Sequence, residues 1–269
     1  MGFEYDDAPC RTRPGAGGAM SEMTASAWVI CAIAVMLTGI SKAAFGGALG
    51  GVGVPLMAMF LAPRLVVAVM LPILCVMDFF GVKAYWKKWS WDELKLVLPG
   101  GFLGMVLGAF AMGVFPDAHI KALIGGIALL FTLDRLLHIR QRLRWQQQPG
   151  PVFASVSATI SGVTSTVAHA GGPPILVYLM ARPLVKQEFV ATTAVFFTVI
   201  NAGKIVPYFA LGFFTRESVQ IAAMLAIFAP IGVWLGLHVL QLIPEKYFFH
   251  LATGLLGVSG IKLLFDAFA

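Results

Sequence analysis

Apolar runs long enough to cross a lipid bilayer recur along this chain, and they leave it few folds. They lie at Ala25 to Ile40, Leu65 to Met77, Gly100 to Phe115, Leu123 to Leu133, Val152 to Val167, Val190 to Val199 and Ile221 to Leu240. A helix rises about 1.5 Å per residue, so about 20 residues cross a hydrocarbon core of about 30 Å. Within that core every backbone N–H and C=O must find a partner inside the protein, which favours helices. Charged residues make up only 12% of the chain, against about a quarter in a soluble domain that must face water. The expected fold is an all-α polytopic membrane protein.

The net charge of +6 does not form a stripe that could follow nucleic acid. The basic residues sit in short loops between apolar runs, where orientation signals belong, so the expected surroundings are a lipid bilayer and no nucleic acid. No Walker loop, His-Glu-x-x-His motif or paired cysteines occur, and neither ATP drive, a cofactor nor a catalytic metal is expected. Cys10, Cys31 and Cys75 are scattered, and read as free thiols. Residues 1–19 carry Glu4, Asp6, Asp7, Pro9 and Pro14. They lack the apolar core of a signal peptide and read as a flexible extension, with Met20 and Met23 as alternative starts.

The chain repeats itself. Gly104, Gly108, Pro116 and Gly126 fall on Gly232, Gly236, Pro244 and Gly254 with one shift of 128 residues. Pro55 faces Pro174 at 119, Pro63 faces Pro183 at 120, and Lys83 faces Lys204 at 121. Residues 20–139 and 151–269 therefore read as two membrane repeats, joined by a basic linker at 140–150. Each half divides into five helical elements: 25–45, 52–62, 64–85, 92–113 and 117–138, then 151–169, 173–182, 186–210, 217–241 and 245–267. An odd number per half makes the second enter from the opposite side, which predicts an inverted repeat, an architecture of secondary transporters. With the Arg140 linker cytoplasmic, Lys83, Lys87, Lys88, Lys95 and Arg182 fall inside. Arg64, Lys121, Arg216 and Lys262 fall outside.

The second element of each half is too short to cross. Val54 to Ala62 spans about 14 Å as a helix, and Ile175 to Arg182 less. Each follows a glycine-rich turn, containing Gly46, Gly47 and Gly51 in one case and Gly171 and Gly172 in the other. A broken or re-entrant hairpin is the expected solution, tolerated at membrane depth only inside protein or beside a cavity. Pro55 and Pro174 suit the first turn of a half-helix. Two such amino ends aimed at one interior point would form an anion site. The alternative is that the glycines serve close helix packing.

Ionisable residues inside apolar runs are costly and mark function. Lys42 and Asp78 form either a substrate-attracting pair or a purely structural one. Lys204, beside Asn201, either contributes charge to the site or snorkels to an interface. His169 reads as a proton carrier, an anion ligand or a partner of a broken-helix carbonyl. Ser165 and Thr166 either line the site or bond back to their own helix.

The segments GISKAAFGGALGGVGVPLMAMFLAP (Gly39 to Pro63) and LPILCVMDFFGVKAYW (Leu71 to Trp86) resemble the TauE/SafE sulfite-exporter family. So do their counterparts GVTSTVAHAGGPPILVYLMARP (Gly162 to Pro183) and TTAVFFTVINAGKIVPY (Thr192 to Tyr208). The resemblance implies an anion permease, moving sulfite, sulfonates or related organic anions across a bacterial inner membrane. A proton or sodium ion is the expected coupled partner. A passive anion channel, a membrane-embedded enzyme and a structural subunit are the other readings.

Overall fold

The structure, a computed structural model, describes residues 23–45, 52–137, 150–238 and 245–268. The expected extension at 1–19, most of the linker, and Gly46, Gly47 and Gly51 lie outside the described residues. Among those described, all regular structure is helical. In order come α1 (Ala25–Phe45), α2 (Gly53–Ala58), α3 (Pro63–Ala84), α4 (Trp91–Val114), α5 (Asp117–Leu137), α6 (Pro151–Ala168), α7 (Gly172–Leu179), α8 (Lys186–Ala210), α9 (Arg216–Ala226), α10 (Phe228–His238) and α11 (Glu245–Phe268). Six stretches are long and apolar enough to span a bilayer: α1, α3, α4, α6, α8 and the α9–α10 pair. The protein is a multi-pass membrane protein.

The helix ends follow local chemistry. Pro63 opens α3 and Pro151 opens α6, where a missing N–H costs nothing. Ser90 accepts the Glu93 N–H at the start of α4, and Thr215 and Ser218 form a reciprocal capping box on α9. One expected helix, 217–241, is instead broken at Ile227 into α9 and α10. Pro230 explains the break: it offers no N–H to the carbonyl of Ala226, four residues back. The two short helices are briefer than the sequence suggested, six residues in α2 and eight in α7, or roughly 9 and 12 Å.

Contacts at the helix ends define two opposite faces. On the first, the Arg64 guanidinium donates to the carbonyls of Met112 (3.2 Å) and Phe115 (2.6 Å) and lies 3.2 Å from Asp117. This gathers the start of α3, the end of α4 and the start of α5. On the second, the Ser90 N–H donates to Thr192 Oγ1 at 2.9 Å. There Glu93 accepts from Tyr178 Oη and Arg182 Nε, both at 2.6 Å. The chain leaving α2 enters α3 on the first face, whereas the chain leaving α7 meets Glu93 on the second. The short helices therefore return to opposite ends of the 24-residue helix α4.

Lipid supplies no hydrophobic drive between helices, so small residues that allow close approach carry the packing. Helix α4 runs alongside α6, with Gly100 against Ser155, Gly104 against Thr159 and Gly108 against Thr166. A side chain at Gly104 would overlap the Thr159 carbonyl. Helix α1 runs alongside α10 in the same parallel sense, Gly39 on Gly232 and Ile40 on Gly236. By contrast α5 and α11 are antiparallel, Gly125 meeting Gly260 and Leu264 while Thr132 meets Gly257. Helix α3 is the centre, with Val66 to Leu71, Ile73 and Leu74 all buried. Val106, Phe110, Val206, Phe209 and Phe265 stay exposed as outer apolar surface, the side that hydrocarbon covers.

Candidate functional site

Helices α3 and α8 cross antiparallel at the centre, and the ionisable residues picked out by sequence meet on them. Asp78, on α3, is 2% exposed. One carboxylate oxygen pairs with the Lys42 ammonium from the last turn of α1. The other accepts from Asn201 Nδ2 of α8 at 2.6 Å. A buried carboxylate is tolerable when both oxygens are engaged, one by an opposite charge. Lys42 keeps 13% of its side chain exposed. Its one hydrogen-bond partner among the described residues is Asp78, so two of its three donors are uncommitted.

Beside this pair is a small cleft, partly open to its surroundings. Lys42 and Asp78 are its charged groups, and its walls are Ala43, Met77, Gly81, Ala194, Phe197 and Val233. Gly81 lies one turn from the end of α3 and Ala194 two turns into α8, so the cleft sits toward the second face.

A second polar group lies toward the first face. Lys204 is fully buried, so it does not snorkel. Its ammonium donates to the Ser165 carbonyl and Ser165 Oγ, both at 3.1 Å, and contacts His169 Nδ1 at 2.8 Å. All three donors are consumed. The position makes physical sense, because the Ser165 carbonyl, which already accepts the His169 N–H at 3.0 Å, has a second lone pair, and the end of α6 is the negative end of a helix dipole. His169 ends α6 in the left-handed conformation, φ +48°, which only tight structural demand imposes on a non-glycine residue. Its Nε2 lies 3.0 Å from the Val67 carbonyl of α3. That carbonyl can only accept, so Nε2 carries the hydrogen and Nδ1 accepts from Lys204. Both ring nitrogens are thus committed, and this arrangement leaves none for a transported proton. The carbonyl His169 holds belongs to α3, not to a broken helix.

The remaining sequence candidates divide. Ser165 takes part through both of its oxygens. Thr166 does not, because its hydroxyl bonds back to the Gly162 carbonyl at 2.8 Å. Gly171 precedes α7, and a methyl there would sit 2.6 Å from the Ser161 carbonyl. Only glycine lets that turn lie against α6, and Ser161 Oγ secures it by donating to the Gly171 carbonyl at 2.6 Å. Gly172 is the buried first residue of α7. The start of α2 and the end of α6 touch one turn of α3: Gly53 packs against Met70, and His169 against Val67.

Sequence reasoning misses three things. Tyr208, fully buried, donates to the Thr166 carbonyl at 2.5 Å. Asn201 is a sequence candidate, but nothing local marks it as the second partner of Asp78. Glu93, 5% exposed, ties α4 to the chain beyond α7. Its place three residues after Ser90 reads as a helix cap, and no local signal announces its distant partners.

Lys42 is thus paired with the Asp78 carboxylate, while Lys204 is held by Ser165 and His169. No curated protein and no solved structure matches the chain. The family described as Sulfite exporter TauE/SafE matches it over residues 31–263, and on that match, spanning both halves and every residue of the two polar groups, the protein belongs to the TauE/SafE family.

Proposed function

We propose that this protein is a secondary carrier of small anions, and that its substrate docks in the cleft against Lys42. The observation that carries the reading is the Lys42 ammonium: partly exposed, on a cleft wall, with two donors uncommitted and, among the described residues, one partner, a carboxylate an anion could displace. The family supports membrane transport of sulfite-like anions. We extend this to sulfite, sulfonates or related organic anions as the substrate class and to a bacterial inner membrane as the setting. The apolar walls formed by Met77, Phe197 and Val233 suit an anion that carries an organic substituent.

The transport cycle we infer uses an inverted repeat. It is supported by the exchanged pairing of α4 with α6 and α1 with α10, by the antiparallel crossings of α3 with α8 and α5 with α11, and by short helices that return to opposite faces. Rocking one half against the other around Asp78 would expose the site alternately. Asp78 is held by Lys42 from one half and Asn201 from the other, so relative motion of the halves strains one of these bonds. An anion on Lys42 loosens the other. In this scheme Asp78, not His169, is the group free to take a coupled proton.

The test is flux of labelled sulfite, alkyl sulfonates and carboxylates into proteoliposomes, with wild type compared with Lys42→Gln. Transport that saturates, shows counterflow and disappears in the variant supports the proposal. Currents beyond carrier turnover would make the protein a channel, and undiminished flux in Lys42→Gln would remove the site.

A further inference from the structure

The loop joining α3 to α4 carries a charge pattern that the anion site does not use. Residues 83–95 hold Lys83, Lys87, Lys88 and Lys95 together with Trp86, Trp89 and Trp91. Lys83, Lys87 and Lys88 are exposed, as are Trp86 (61%) and Trp91 (59%). The loop caps two spanning helices, which sets it where hydrocarbon gives way to headgroups.

This loop has a defined shape. The Lys88 N–H donates to the Tyr85 carbonyl at 3.1 Å. Lys87 takes the left-handed conformation, φ +62°, which side chains other than glycine rarely adopt. The Trp86 and Trp89 rings pack edge to face with centroids 5.6 Å apart, and Trp89 and Trp91 do the same at 5.9 Å. Three indoles are thereby fixed in the stretch that bears the lysines.

The nearby carboxylates do not neutralise it. Asp92 lies 4.0 Å from Lys95, and Glu93 is taken by Tyr178 and Arg182. Among the described residues Lys83, Lys87 and Lys88 have no ion-pair partner, and neither they nor the three indole N–H groups have a hydrogen-bond partner. The loop thus offers three ammoniums and as many N–H donors beside exposed aromatic surface.

We propose that this loop binds the headgroup of an anionic phospholipid, its phosphodiester held by Lys83, Lys87 and Lys88 and its glycerol and upper acyl region lying on Trp86 and Trp91. The aromatic surface is what selects a lipid over free phosphate, since a soluble anion would leave both rings uncovered. Lysines near an anionic bilayer surface each contribute roughly fivefold in binding, and three acting together give a clear preference.

The experiment reads tryptophan fluorescence of the full chain in phosphatidylcholine vesicles doped with brominated phosphatidylglycerol or brominated phosphatidylcholine. The brominated phosphatidylglycerol is expected to quench more at equal mole fraction. Replacing the lysines together (Lys83→Gln, Lys87→Gln, Lys88→Gln) should lower that preference at least about tenfold while quenching by brominated phosphatidylcholine stays the same. Trp86→Phe with Trp91→Phe should remove most of the preferential component, leaving the signal of Trp28, Trp89, Trp145 and Trp234. Equal quenching by the two lipids in wild type overturns the proposal even if the lysine variant fails to insert. So does a preference that survives the triple substitution, or displacement of the lipid by soluble glycerol phosphate.

Discussion

Two lysines stand beside the crossing of α3 and α8, Lys42 at the end of α1 and Lys204 on α8, and the fold treats them differently. Lys204 is closed off: three donors, three acceptors, no exposed surface. Lys42 is half-committed: one acceptor and an edge on a cleft. A membrane-embedded charge is therefore not a ligand site merely because it is buried. The proposed site instead follows from the number of hydrogen-bond donors that the fold leaves unused.

Four substitutions test that distinction, in descending order of effect. Lys42→Gln removes the charge-assisted bonds to substrate, worth about 1.5–3 kcal/mol each, so transport in proteoliposomes should fall at least about a hundredfold. Lys204→Met should leave KM within about twofold but lower stability by about 2 kcal/mol, three membrane hydrogen bonds at roughly 0.6 kcal/mol apiece, read by thermal unfolding in detergent. A large KM change there would erase the contrast between the lysines. Asn201→Leu strips one partner from Asp78 without touching either lysine, and should cost about 1–2 kcal/mol with a moderate loss of turnover. Thr166→Val should change neither flux nor stability by more than about 0.6 kcal/mol, because its hydroxyl serves only its own helix. A transport defect in that variant would bring Thr166 back into the site.

The fold was legible because its boundaries are set by short-range chemistry. Pro63, Pro151 and the Ser90 cap announce helix starts that no packing overrides, and most helix ends fall within a residue or two of the expected ones. Lys42 and Asp78 were legible for a different reason, since a charge in an apolar run has to be compensated. What the sequence hid is which partner does the compensating. Counting residues from Lys204 to its helix end suggested an escape to the interface, but the end of α6 stands in the way and offers nearer acceptors. Glu93 drew no attention because its ties to Tyr178 and Arg182 span 85 and 89 residues. Both failures concern long-range partners, which no local pattern carries. The glycine turn at Gly46 to Gly51, which the sequence offered as one side of an anion site, lies outside the described residues.

The exchanged pairing of helices has a consequence for how the chain is made. Helix α1 emerges first, yet the surface that receives its Gly39 face belongs to α10, almost 200 residues later. Through most of synthesis that face has no docking partner, whereas α4 needs only the arrival of α6. These pairs therefore complete in the order their second members emerge, α4 with α6, then α1 with α10, then α5 with α11, and a chain that ends before Phe228 leaves the Gly39 face of α1 without its mate.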